Sequence, residues 1–116
     1  MEKEDALNAL AALGQETRLD VFRLLVKAGQ EGMTAGAISD ALKVRPNTLS
    51  THLGALSRSG LVHAERDGRS ICYRADLETM QGLVTYLLED CCGGNPELCA
   101  PIAGIAAGAC GAGKSR

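Results

Sequence analysis

The chain is short of histidine, of long apolar runs and of paired thiols. Only His52 and His63 can supply imidazole. No stretch approaches the roughly 18 apolar residues that a membrane span needs. The opening "MEKEDALNAL" is acidic and mixed, where a secretory signal would be basic and then apolar. A cytoplasmic protein with no membrane partner is expected. Neither a Cys-x-x-Cys pair nor a phosphate-type anion loop occurs, so a thiol-dependent reductase lacks the activated nucleophile it would need. The chain therefore reads as a non-enzyme.

Cysteine itself is not scarce. Five are present in 116 residues, an odd number that suits no closed disulfide framework and that, in a reducing cytosol, points to free thiols. Three of them, Cys91, Cys92 and Cys99, fall within "LEDCCGGNPELC". A chain of this length buries a modest core and gains from a partner subunit, so a homodimer is plausible.

The formal charge of -2 hides an uneven distribution. Residues 34–75 carry six Lys and Arg against three Asp and Glu, whereas both flanking regions are acidic. A basic centre is compatible with phosphate contact, although alone it describes a solvated surface equally well.

Periodicity shows what that centre is. "ALNALAALG" spaces Leu7, Leu10 and Leu13 for a first helix closed by Gly14, a residue suited to a left-handed turn. "ETRLDVFRLLVKAG" places Leu19, Phe22, Leu25 and Val26 on one stripe of a second helix. A short third helix is expected around Ile38, Ala41 and Leu42, and Pro46 suits the first turn of a fourth. On that fourth helix Leu49, Leu53 and Leu56 face inward. The opposite face then shows Asn47, Thr51, Gly54 and Arg58, flanked by Thr48, Ser50 and His52.

A short helix, a tight turn and a helix with a short-chained polar face make a helix-turn-helix, whose second helix can enter the major groove. Short Ser, Thr and Asn side chains allow close approach to base edges. "LVHAERDGRSICYRA" reads as two strands around Asp67-Gly68, with Arg66 and Arg69 at the tip. A basic hairpin placed there is a wing able to reach phosphates. The candidate DNA-binding residues are Asn47, Thr48, Ser50, Thr51, His52, Arg58, Arg66 and Arg69, with operator double-stranded DNA as the partner.

"LGQETRLDVFRLL", "RPNTLSTHLGALSRSGLV" and "RDGRSICYRA" together resemble the ArsR/SmtB winged-helix repressors, which sense metals and metalloids, and in particular their arsenic-responsive members. The likeness runs from about Ala6 to Asp90, and Ser50, His52, Leu53, Leu56, Gly60, Leu61 and Val62 are its most specific part. It implies a mainly α fold of about five helices with a two-stranded wing. It also implies a dimer paired through the first and last helices, and a pseudo-palindromic operator released when an inducer arrives. The winged domain is expected over residues 1–92, followed by a cysteine-containing loop and a mobile Gly/Ala-rich tail over 93–116.

The last helix is expected to start at Asp76, a good N-cap, and to carry Leu77, Met80, Val84, Leu87 and Leu88 on an apolar stripe. Gly93-Gly94 and Asn95-Pro96 let the chain turn back, so that Cys91, Cys92 and Cys99 converge. Three thiolates suit a soft, thiophilic ion. Zinc usually takes four ligands, which would require Asp90, Glu97, Cys110 or water as well. Trivalent arsenic is satisfied by a pyramid of three sulfurs, and antimony(III) is similar. No permanent cofactor is expected. Glu89, Asp90 and the negative end of the helix favour protonated thiols, a state that arsenous acid tolerates because it condenses with thiols and loses water.

The family comparison has its departures. The cysteine box that some relatives carry on the third helix is replaced here by "AGAISDAL", and the last helix has no His for a zinc site. Cadmium, lead or a thiol oxidant acting on the same three cysteines remains open as the inducer. A metal-buffering protein that binds no DNA is disfavoured by the basic wing. Cys72 reads as a packing residue and Cys110 as part of the tail.

Overall fold

The computed structural model describes residues 1–89. Five α-helices occur among them, α1 (Lys3–Leu13), α2 (Glu16–Ala28), α3 (Ala35–Leu42), α4 (Pro46–Arg58) and α5 (Leu77–Leu88). The strands are β1 (Met33–Thr34), β2 (Val62–Asp67) and β3 (Ser70–Ala75), in an antiparallel sheet of order β1-β3-β2. Glu2–Leu77 forms one compact unit, and of the remaining described residues Met1 and 78–89 belong to a second.

The helices of the first unit begin where side chains can satisfy free amides. In α1 the Glu2 amide donates to Asp5 Oδ2 at 3.3 Å, in α2 Gln15 Oε1 accepts from the Arg18 amide at 2.9 Å, and in α3 Thr34 Oγ1 accepts from the Ala37 amide at 3.2 Å. Each bond meets a donor that the helix itself leaves unpaired. α2 ends at Gly29, whose φ of 68° lies in the region that favours glycine. Gly14 behaves differently. Its φ is -79°, so the anticipated left-handed turn after α1 does not form, and its amide bonds back to the Ala11 carbonyl instead.

The core is built from Val21, Phe22 and Leu25 of α2, Ile38 of α3, Leu49, Leu53 and Leu56 of α4, and Leu61 and Val62. Side chains of this size contribute roughly 1.5–3 kcal/mol each when fully buried. α1 buries a face other than its leucines: Ala6, Ala9 and Ala12 are inside, whereas Leu7 and Leu10 are 57% and 42% exposed. The two stripes lie one residue apart at the same spacing. Small side chains let α1 approach α2 and α4 closely, and the leucines are turned outward as a result. Leu19 and Val26 are likewise on the outer side of α2.

The wing is larger than a two-stranded hairpin. β1 pairs with β3 through Met33↔Tyr73 and Thr34↔Cys72, adding a third strand. The hairpin turn is also shifted by one residue: Asp67 pairs with Ser70, leaving Gly68 and Arg69 as the two-residue loop. Only Gly68 has positive φ there, the pattern of a type II′ turn, which requires Gly at its first central position.

α5 buries Leu83, while Leu77 and Leu87 are exposed and Met80, Val84 and Leu88 are half-buried. Cys91, Cys92, Cys99 and Cys110, together with the expected tail, lie outside the described residues.

Candidate nucleic-acid interface

α3 and α4 are joined by Lys43, Val44 and Arg45 alone. Lys43 takes the left-handed conformation, φ 57° and ψ 46°, and its amide donates to the Ser39 carbonyl. The Val44 amide donates to the same carbonyl at 3.1 Å, and Ser39 Oγ donates to the Val44 carbonyl. This closure fixes the angle at which α4 leaves α3.

α4 then begins at Pro46, in the first helical position where its missing N–H costs nothing. Leu49, Leu53 and Leu56 are at most 2% exposed, which forces the opposite side outward. Asn47, Thr48, Ser50 and Thr51 are exposed there, and His52 is half-buried. Asn47 Oδ1 accepts from the Thr48 amide at 3.0 Å, and Thr51 Oγ1 donates to the Asn47 carbonyl at 3.4 Å. The first turn of α4 contains no acid, so no side-chain charge there opposes an approaching phosphate at the positive end of the helix dipole.

The exit from α4 is equally determined. Gly60 has φ 83°, the Leu61 amide donates to the Leu56 carbonyl at 3.1 Å and the Gly60 amide to the Ser57 carbonyl at 3.1 Å. These two bonds define a Schellman motif. It turns the chain into β2 with Leu61 and Val62 buried, and so mounts the hairpin beside the helix.

Charge on the hairpin is divided. Arg74 is paired with Glu65 and donates through Nε to the Gln30 carbonyl. That pairing neutralises Glu65 and leaves Arg66 and Arg69 at the tip with Asp67, neither arginine in an ion pair with any described residue. His63 is 3.8 Å from the Asp76 carboxylate, at the base of the hairpin. Arg58 stands apart from the rest of the predicted set. It lies in the last turn of α4, close enough that a β-carbon at Gly54 would be 3.2 Å from its Nη1.

Lys43 and Arg45 were not among the expected contact residues. Both are exposed in the turn that leads into α4, and the signal for them was their position just ahead of Pro46. Among the described residues, no three His, Cys, Asp or Glu side chains gather as a metal site.

A buried-faced helix with an exposed polar face, entered through a three-residue turn and followed by a basic hairpin, defines a winged helix-turn-helix. The helix-turn-helix domain family matches residues 13–65 of this chain. An HTH-type transcriptional regulator of Methanocaldococcus jannaschii is 39% identical over 69 residues, which cover 59% of this chain and 75% of that protein. Among solved structures, an ArsR-like transcriptional regulator from Rhodococcus sp. RHA1 is 29% identical with a TM-score of 0.68, covering 89% of this chain and 93% of that one. A homodimeric winged helix-turn-helix DNA-binding domain from Mycobacterium bovis, a possible ArsR-family regulator, is 28% identical with a TM-score of 0.61, covering 75% and 81% respectively. The chain belongs to the HTH-type transcriptional regulators, with the winged-helix fold of the ArsR family.

Proposed function

We propose that the protein is a homodimeric transcriptional repressor that holds operator DNA until trivalent arsenic or antimony binds Cys91, Cys92 and Cys99. The observation that carries the DNA half is the face of α4. Asn47, Thr48, Ser50 and Thr51 are all exposed beside an acid-free helix start, with Arg66 and Arg69 on the adjoining wing. Side chains of this kind read base edges while the wing arginines hold phosphates. The exposed Leu7 and Leu10 of α1 supply an apolar surface suited to a second copy, and the Mycobacterium bovis relative is homodimeric.

The inducer half rests on the spacing "CCGGNPELC" directly after α5. Three thiols condensing with arsenous acid form three As–S bonds and release three waters, leaving a neutral product with no fourth ligand to find. Two recognition helices of a dimer would meet half-sites one DNA turn apart. Inducer binding that shifts their spacing by a coupling of about 1–3 kcal/mol weakens DNA binding roughly 5- to 150-fold. Cadmium or lead recruiting a fourth ligand is the second reading, because Asp90 and Glu97 flank the cysteines.

Fluorescence anisotropy on a labelled operator, titrated with arsenite, antimonite, cadmium, lead and zinc under reducing conditions, tests both. Release by arsenite and antimonite alone is expected. Release by divalent ions alone would replace the three-thiol reading with the four-ligand one, and failure to bind any operator would remove the repressor reading.

A further inference from the structure

A cleft of about 310 Å³ opens within the Glu2–Leu77 unit between α1, the first turn of α2 and the last turn of α4. Its apolar lining is three methyl groups, from Ala11, Ala12 and Ala55, and its polar lining is Asn8, Arg18, Arg58 and Ser59. The volume falls at the lower end of the range for small-molecule sites. Two arginines line it and, among the described residues, no Asp or Glu does. Neither arginine is in an ion pair with any described residue, and Arg18 Nε is buried without a hydrogen-bond partner. Native structures rarely leave a buried donor unmet, least of all on a charged group.

The remaining polar atoms narrow the ligand. Ser59 Oγ donates its hydrogen to the Leu56 carbonyl at 2.8 Å, so only its lone pairs are left for a ligand, and they call for a donor. Asn8 is exposed and offers both functions. The planar guanidinium matches a carboxylate through paired hydrogen bonds. Arg18 is also in the first turn of α2, where the helix dipole favours negative charge.

We propose that this cleft binds a small hydroxycarboxylate: carboxylate on the arginines, hydroxyl toward Ser59, hydrocarbon against the alanines. Because Ala55, Arg58 and Ser59 belong to α4 and its cap, the ligand also grips the end of the helix assigned to DNA, giving the regulator an effector site separate from its cysteines. The binding itself stands on the cleft alone, and its effect on DNA rests on the repressor reading.

The test is calorimetric titration of the full-length protein with L-malate, glycolate and citrate, using acetate and sulfate as controls. At least one hydroxycarboxylate should bind about tenfold or more tightly than acetate, and Asn8→Asp and Arg18→Lys should each weaken it roughly ten- to hundredfold. Circular dichroism shows whether each variant folds, and Arg58→Gln replaces Arg18→Lys if that variant does not. No preference over acetate and sulfate, or binding that survives every variant, overturns the site. Absence of probe binding together with a flatter salt dependence of DNA affinity in Arg18→Lys would make the cleft a phosphate contact and also overturn it. Repeating the operator titration with saturating probe tests the coupling, which unchanged DNA affinity overturns. A protein that binds the probe but no DNA would fail the repressor reading while the site stands.

Discussion

The sulfur of Cys72 is packed against the α-carbon of Gly32. A β-carbon at Gly32 would stand 2.6 Å from Sγ and 2.6 Å from the Tyr73 carbonyl oxygen. Cys72 Sγ in turn donates to the Glu31 carbonyl at 3.1 Å. The contact holds the 3₁₀ turn Gly29–Glu31 and the start of β1 against β3, and thereby fixes the base of the wing.

Gly32→Ala should therefore destabilise the protein by about 2–4 kcal/mol, combining the cost of a side chain at φ 67° with overpacking against backbone. Urea unfolding measures it. Adding Cys72→Ala to Gly32→Ala should recover only part of the loss, because the Tyr73 carbonyl and the positive φ remain. Full recovery would mean that the sulfur was the sole obstacle.

Lys43 should respond in the opposite direction. It is the one described non-glycine residue with positive φ, and a left-handed residue with a β-carbon costs roughly 1–2 kcal/mol. Lys43→Gly is expected to raise stability by up to about 1 kcal/mol, the gain being reduced by glycine's greater freedom when unfolded. It should weaken DNA binding at the same time, since an exposed cation beside the start of α4 is lost. Denaturation and anisotropy on one sample separate the two effects.

Much of this was readable from the residues, for specific reasons. α4 was legible because Leu49, Leu53 and Leu56 repeat at helical spacing after a proline, and the wing because Asp-Gly interrupts two strand-like runs. β1 was not, since two residues carry no periodicity. Nor was the buried face of α1: Ala6, Ala9, Ala12 and Leu7, Leu10, Leu13 share one spacing, and only the closeness of α2 and α4 decides which set is enclosed. The Arg18 and Arg58 cleft joins residues forty positions apart on different helices, a proximity that no local pattern announces.

The wing arginines make a prediction distinct from that for α4. Arg66→Ala and Arg69→Ala should weaken binding to all DNA sequences alike, and each should lower the slope of log K against log salt by about 0.9 if it neutralises one phosphate. Thr51→Ala or Asn47→Ala should instead cost about 1–3 kcal/mol on the operator and little on random DNA. Anisotropy on both duplexes at several salt concentrations distinguishes them. Equal losses on both duplexes for the α4 variants would deny that helix a role in base readout.

Leu7 and Leu10 are exposed on a helix whose inner face is filled by alanine. Leu7→Ser with Leu10→Ser should therefore leave the monomer's stability within about 0.5 kcal/mol while removing apolar area from the proposed subunit seam. Sedimentation velocity should show a shift from dimer to monomer at micromolar concentration, with operator affinity falling in step. A dimer that persists would place the seam elsewhere.

The proposed sensing segment and the proposed reading head are separate in the chain. Asn47, Thr48, Ser50 and Thr51 are on α4, and Arg66 and Arg69 are on the hairpin, whereas Cys91, Cys92 and Cys99 follow α5 in the sequence. Serine at any one of the three cysteines removes a sulfur and keeps nearly the same volume, so operator affinity without inducer should stay within about twofold. Two thiols cannot complete the three-sulfur pyramid, and arsenite at concentrations that fully release the parent should then release none of the three variants. Anisotropy with and without arsenite measures both quantities on each protein. Loss of operator binding in the serine variants would show that the cysteines serve the fold or the dimer, and the division between sensing and reading would fail.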